Sequence, residues 1–311
     1  MLDGKAVVVT GAGRGIGRAH ARMLAASGAR VVVNDVTGAD DCVARLRADG
    51  FDAWADCSDV STWEGARSLV RRTIERLGTI DGLVNNAGVL RRADVADLDE
   101  TDLGVELRVN VKGTVACTRF ASEYWRDEAR AGRRRSAAVV NTTSDTIFTG
   151  SPGGSGYAAT KAAIVAFTQS ASLEGFQYGV RHNAIAPSGR TPMAAGSGLL
   201  TLGPADVAPP EDQDPDAPDN PLHNAPLVLW LLSDDARHVN GQVFRLRFGA
   251  FARMELTTTG DWFTPPQAAP AWDVQQIGEV MNGAVFNSNF PAPMRDFPGE
   301  PSVPFARLDH T

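Results

Sequence analysis

Within the stretch SGYAATKAA, Ser155–Ala163, a tyrosine stands four residues before a lysine. The chain has three tyrosines, and its only lysines are Lys5, Lys112 and Lys161 among 30 basic residues. A chain that otherwise writes arginine has used lysine here, in an alanine-rich helical run. A spacing of four puts the side chains of Tyr157 and Lys161 on one helix face. Taken alone, the pair has two readings: surface neighbours such as any helix carries, or a phenol and an ammonium set together for proton chemistry.

A second group of residues suits an anion. TGAGRGIG, Thr10–Gly17, follows the apolar run AVVVT and precedes a stretch of helical spacing. Gly11, Gly15 and Gly17 permit tight turning and close approach of backbone to a ligand. The helix start that includes Arg14 and Ile16 would offer free N–H groups to a pyrophosphate. Asp35 ends the second apolar run, RVVVN, 18 residues after Gly17 (35 − 17). An acid at that place accepts hydrogen bonds from the adenosine ribose and repels a 2′-phosphate, which favours NAD over NADP. Arg14 pulls the other way, because a nearby arginine tolerates a phosphate.

These groups need a scaffold, and the first 190 residues supply one pattern throughout. Short, nearly continuous apolar runs alternate with amphipathic stretches. Helical spacing covers about Arg18–Ser27, Asp40–Asp49, Ser61–Leu77 (with Ser61 as N-cap and Gly78 as stop), Leu103–Trp125 and the segment bearing Tyr157 and Lys161. This alternation predicts an α/β fold: a single doubly wound Rossmann domain with a parallel sheet covered on both faces. The sequence divides into a nucleotide-binding domain over 1–248, with a substrate lid within about 192–225, and an irregular C-terminal extension over 249–311. The extension carries Phe251, Trp262, Phe263, Trp272, Phe286 and Phe290, which suggests an arm packed on its own or a neighbouring subunit. The acidic, turn-rich DVAPPEDQDPDAPD, Asp206–Asp219, reads as a loop.

Bulk properties narrow the partners. A net charge of −7 argues against a broad nucleic-acid or acidic-membrane surface. The apolar runs are too short to span a bilayer. Three widely spaced cysteines show no metal-ligand spacing and no disulfide framework, so the expectation is no metal and a reducing cytoplasm. The five histidines form no constellation; His182 and His238 read as loop or surface residues.

The ordered set TGAGRGIG, SDV at 58–60, NNAG at 85–88, VNVKG at 109–113, Ser144, the Tyr157/Lys161 pair and NAIAP at 183–187 resembles the short-chain dehydrogenase/reductase family over about residues 1–190. The resemblance implies that Tyr157 is the general acid/base, with the Lys161 ammonium lowering a phenol that ordinarily titrates near 10. Lys161 would also bind the nicotinamide ribose. Ser144 would hold the substrate oxygen, and Asn110 a water of a proton relay. Asn86, Ala87 and Gly88 would shape the adenosine pocket, Asp59 and Val60 would meet the adenine, and Pro187 and Thr191 would lie along the nicotinamide. Two departures stand out: Ser188 precedes Gly189 where a glycine often follows the NAIAP motif, and LRFGAF replaces the usual DGG-like ending.

VVVNDV, NNAGVLR, APLVLWLLS and NGQVF are similar to the dehydrogenase unit of multifunctional β-oxidation enzymes, the branch that includes 17β-hydroxysteroid dehydrogenase type 4. That implies NAD-dependent interconversion of a secondary alcohol and a ketone. The six carboxylates of Asp206–Asp219 would repel the phosphates of CoA, which leans the reading toward a bulky apolar steroid or terpenoid alcohol. A 3-hydroxyacyl-CoA dehydrogenase or 3-oxoacyl reductase is the runner-up, and a non-catalytic NAD-binding regulator is the alternative of another class. The family resemblance also implies a homo-oligomer, a tetramer or dimer.

Overall fold

Alternation inside the short valine runs decides the architecture. Val7, Val9, Val31 and Val33 enter one apolar cluster, and Val8 and Val32 enter another on the opposite side of the sheet. These two strands are therefore buried on both faces, as a parallel sheet between two helical layers requires. The structure is a computed structural model and describes residues 1–197 and 202–255.

The chain runs β1 (Ala6–Thr10), α1 (Gly15–Ala26), β2 (Arg30–Asn34), α2 (Ala39–Ala48), β3 (Ala53–Asp56), α3 (Trp63–Leu77) and β4 (Gly82–Asn85). It continues through α4 (Glu100–Glu106), a π-helical segment (Leu107–Gly113), α5 (Thr114–Arg130), β5 (Ala137–Thr142), α6 (Thr146–Thr149), α7 (Ser155–Phe176) and β6 (Val180–Ala186). The short α8 (Pro192–Gly196), then α9 (Ala225–Leu232), β7 (Val243–Arg247) and β8 (Ala250–Met254) follow. The sheet order is β3-β2-β1-β4-β5-β6-β7-β8. All neighbours pair parallel except β7 with β8, which is antiparallel. Because β1 pairs with both β2 and β4, the order reverses there, and a crevice opens beyond the carboxyl ends of these strands.

Several local readings of the sequence are corrected. Thr62, one residue after Ser61, caps α3, its hydroxyl accepting the Gly65 N–H at 2.9 Å. The stretch expected as one plain helix over 103–125 carries the π-helical turn in its middle. The chain after Gly249, expected to be irregular, first adds β8 to the sheet; the rest of the expected extension, from 256 onward, lies outside the described residues. His182 is neither loop nor surface: it sits in β6, almost wholly buried.

The acidic stretch is a loop, as read, with short 3-10 turns, and arginines tie it down. Glu211 pairs with Arg18 of α1 at 2.6 Å, Asp212 with Arg45 of α2 at 2.7 Å, and Asp219 with Arg190 at 2.9 Å. Arg18 is buried and also meets Asp41 at 2.7 Å. Much of the acidity that the sequence displays is thus neutralised by arginines from distant segments.

Candidate active site

The glycine loop is built so that no side chain fills it. Gly11 and Gly15 have φ of +62° and +55°, a region that side chains disfavour. A Cβ at Gly11 would lie 2.7 Å from the Ala87 Cα, and one at Gly17 would lie 2.2 Å from the Gly11 carbonyl oxygen. Asn86 explains the second contact. Its Nδ2 donates to the carbonyls of Thr10 and Gly11, both at 3.0 Å, fastening the NNAG motif to the loop. The Thr10 hydroxyl completes the clamp by accepting the Asn86 and Ala87 N–H groups at 3.0 and 3.1 Å. Sequence reasoning assigned Asn86 and Ala87 to the adenosine pocket and missed both the clamp and Thr10. A buried hydroxyl at the end of β1 was the available signal.

These residues fit a dinucleotide. Arg14 stands at the N-cap of α1 in extended conformation without a side-chain cap, and the first turn, with Ile16 and Gly17, holds no acid. The positive end of the helix therefore remains available to an anion. The half-buried Asp35 accepts the Gly13 N–H at 3.0 Å and the Thr37 N–H at 3.1 Å, which stations its carboxylate beside the loop with further acceptor capacity. Asp59, exposed, turns the chain by accepting the Ser61 N–H at 2.9 Å, and Val60 beside it is buried in the apolar cluster behind the sheet.

At the other end of the crevice, α7 carries Tyr157 and Lys161. Lys161 is buried, and its Nζ donates to the Thr142 carbonyl at 2.8 Å. That Nζ lies 5.4 Å from the centroid of the Tyr157 ring, so the cation stands over the ring. Ser144, just after β5, shares a side-chain hydrogen bond with Tyr157. Asn110 sits in the π-helical segment, fully buried, and grips Val89: its Oδ1 accepts the Val89 N–H at 2.8 Å and its Nδ2 donates to the Val89 carbonyl at 3.0 Å. The same Nδ2 donates to Thr160 Oγ1 at 3.0 Å, tying the segment to α7. A Cβ on Gly88 would lie 3.3 Å from Asn110 Oδ1 and 3.4 Å from Lys161 Nζ, so this glycine lets both groups gather at the NNAG motif.

The electrostatics differ from the sequence expectation in one respect. Burial pushes the Tyr157 phenol well above its ordinary value; the Ser144 hydrogen bond pulls it down, while the charges of Asp145 and Glu106 push it further up. Burial also pulls the Lys161 ammonium down to about 8, against the opposing charge of Glu106. The lysine spends a hydrogen bond on Thr142 and faces the ring, so desolvation of the phenolate outweighs any help from the cation. In this arrangement the Tyr157 phenol stays protonated.

The strand end after β6 closes the site. Thr191 caps α8 by accepting the Ala194 N–H at 3.1 Å, and its Cβ would lie 3.4 Å from a Cβ on Gly15, which places it against the glycine loop. Pro187 is half-buried just after β6. Ser188, the departure from the family pattern, ties its hydroxyl to the Leu246 carbonyl at 3.1 Å and receives Asn224 Nδ2 on its own carbonyl at 2.8 Å. Arg190 grips Asp219 with two hydrogen bonds, both 2.9 Å. Sequence reasoning missed that pairing, since nothing local joins residues 29 apart. Of the expected lid, residues 198–201 lie outside the described residues.

The short chain dehydrogenase family model matches residues 5–198, more than half of the chain. The chain belongs to the short-chain dehydrogenase family. It is 38% identical over 252 residues to the hydroxyacyl-CoA dehydrogenase ChsB1 of Mycobacterium tuberculosis, covering 78% of this chain and 77% of that protein. It is 32% identical over 269 residues to the mouse peroxisomal multifunctional enzyme type 2, covering 83% of this chain and 34% of that longer protein. Among solved structures, a short chain dehydrogenase from Mycobacterium avium superposes with a TM-score of 0.83 at 36% identity, covering 94% of this chain and 98% of the other. A gluconate 5-dehydrogenase from Burkholderia cenocepacia, in complex with NADP and tartrate, superposes with a TM-score of 0.67 at 28% identity, covering 80% and 95%. This member of the family is an oxidoreductase, and the family's nicotinamide cofactor suits the glycine loop described above. Among the described residues no helix is long and apolar enough to cross a membrane.

Proposed function

We propose that the protein reduces and oxidises the 3-position of an acyl thioester, a 3-oxoacyl-CoA or 3-hydroxyacyl-CoA, with NAD as the redox partner. The observation that carries the chemistry is the Lys161 Nζ poised 5.4 Å over the Tyr157 ring, with Ser144 hydrogen-bonded to that tyrosine. When bound, the nicotinamide supplies or accepts the hydride. Ser144 would hold the substrate oxygen, Tyr157 would give it a proton during reduction, and Lys161 would keep a positive charge at the cofactor end. Asn110 would fix Val89 and α7 so that these groups keep their separations.

The thioester is favoured over the steroid or terpenoid alcohol for two reasons. The relative of greatest identity named above is a hydroxyacyl-CoA dehydrogenase. The charge argument against CoA is also weakened, because Glu211, Asp212 and Asp219, three of the six carboxylates, are held by arginines. NAD is favoured over NADP by the Asp35 carboxylate beside the loop. A homo-oligomer belongs to the same reading. Leu173 and Phe176 are 80% and 69% exposed on the outer side of α7, a face suited to a second copy of the chain. A cytoplasmic setting suits Cys42, Cys57 and Cys117, all unpaired.

The test is NADH consumption with acetoacetyl-CoA beside a panel of keto-steroids and terpenoid ketones. Turnover is expected on the thioester. Reduction of the steroid or terpenoid panel without reduction of acetoacetyl-CoA would overturn the assignment.

A further inference from the structure

Glu106, the last residue of α4, is fully buried and belongs to none of the groups described so far as chemistry. Its Oε1 accepts the Arg91 N–H at 2.8 Å. Its Oε2 is buried and has no hydrogen-bond partner. A buried carboxylate oxygen left in that condition is costly and calls for an explanation.

Its position supplies one. A Cβ on Gly156 would lie 2.7 Å from Glu106 Oε2, so the carboxylate is seated against the backbone of the residue just before Tyr157, and a side chain there would push it aside. Asn110 follows Glu106 by four residues, so the same stretch of helix carries both groups toward α7. From this seat the charge of Glu106 acts on Tyr157 and on Lys161. The charged groups facing the carboxylate from its other sides are Arg91, in the segment after β4, and Asp102, one turn earlier on α4. Those two pair with each other at 3.3 Å; burial raises the Glu106 carboxyl, while the charges of Arg91 and, from α7, of Lys161 draw it down.

We propose that Glu106 is a positioning residue of the Tyr157–Lys161 pair: its buried carboxylate, seated against Gly156, helps hold the lysine as an ammonium beside a phenol that burial and Asp145 also keep protonated, which favours carbonyl reduction. The inference rests on the proton-transfer reading given above. In a reduction, a bound nicotinamide would supply the hydride for the new C–H bond, and the carbonyl oxygen would take the Tyr157 proton to form O–H. The phenolate left behind is reprotonated from solvent. A negative charge beside the pair makes proton loss from either group harder, so the donor form persists to higher pH. It also offsets the burial that draws Lys161 toward the neutral amine.

Only three lysines are present, so a full-length chain labelled with 13C at lysine Cε gives three signals, and Lys161→Met identifies the one from Lys161. In the native protein its titration midpoint is expected near 8. Glu106→Gln keeps the shape and an acceptor for Arg91 but removes the charge, and the midpoint is expected to fall by at least about 0.5 pH units. Glu106→Asp, which retains the charge, is expected to restore it. An unchanged midpoint in Glu106→Gln overturns the inference. If that variant fails to fold by circular dichroism, Gly156→Ala is read the same way, since its Cβ displaces Oε2: a lower midpoint supports the inference and an unchanged one overturns it. The pH profile of NADH oxidation with acetoacetyl-CoA is a separate readout, its alkaline limb moving down in Glu106→Gln. A native protein that turns over no acyl thioester defeats the proposed function, while the lysine titration still decides the role of Glu106.

Discussion

The Lys161 ammonium stands over the face of the Tyr157 ring, 5.4 Å from its centroid, and gives a hydrogen bond to the carbonyl of Thr142. The cation is fixed by the end of β5 as much as by the helix it grows from. Its distance from the phenol hydroxyl is therefore set by the sheet, and burial keeps the phenol protonated. Tyr157→Phe removes the proton donor and leaves the ring under the cation. Turnover is expected to fall at least about 100-fold, with NADH binding retained. Steady-state rates beside a fluorescence titration of NADH check this; a variant that keeps its turnover would remove Tyr157 from the chemistry.

Asp35 braces the turn at Gly13 and Thr37 while presenting a carboxylate at the mouth of the loop. Asp35→Asn keeps one acceptor and removes the charge. The preference for NADH over NADPH, measured as the ratio of kcat/KM values, is expected to drop by about tenfold, or roughly 1.4 kcal/mol. A native protein that prefers NADPH would refute the NAD assignment outright.

Arg18 is a buried cation held between Glu211 and Asp41. Arg18→Ala leaves the nearly buried Glu211 carboxylate with only the longer Arg45 contact at 3.6 Å. Breaking a buried pair from one side destabilises by about 3 kcal/mol. The urea midpoint is expected to fall accordingly, and to fall much less for Asp41→Ala, whose side chain is exposed. Equal losses in the two variants would mean that Arg18–Glu211 does not anchor the acidic segment.

Two buried histidines set a pH dependence of stability. Burial holds His20 down to about 3 and His182 down to about 4, from an ordinary 6.5. Both rings stay neutral in the folded chain, so below about pH 6.5 the unfolded chain binds protons that the native state refuses. Their contribution is complete above that pH and is lost as pH falls toward 4 for His182 and toward 3 for His20. Urea unfolding at pH 7.5, 6.0 and 5.0 should show stability declining, by up to about 1.4 kcal/mol per pH unit for each ring well below 6.5. His20→Leu should flatten the decline; an unaltered slope would assign it to other groups.

Local chemistry made much of the site legible in advance. A helical spacing of four suffices to put Tyr157 and Lys161 on one face, and a glycine cluster between an apolar run and a helix suffices to mark the loop. Both signals are carried by residues close in sequence, and the physics behind them acts over one or two turns. The strand pattern was equally readable, since alternate valines need apolar neighbours on both sides of a sheet.

Long-range pairing was not legible. No local rule joins Glu211 to Arg18, Arg190 to Asp219, or Glu106 to Gly156, and these contacts decide how much charge the site feels. The acidic segment was misjudged for that reason: a formal charge read along the chain says nothing about the arginines that fold against it. The π-helical turn at Asn110 and the antiparallel strand at 250–254 likewise depend on partners, Val89 for the one and β7 for the other. By itself the sequence determined which groups could do chemistry and the order of elements that would carry them. The tertiary structure decided their protonation, because burial and the field of distant charges exist only once the chain has folded.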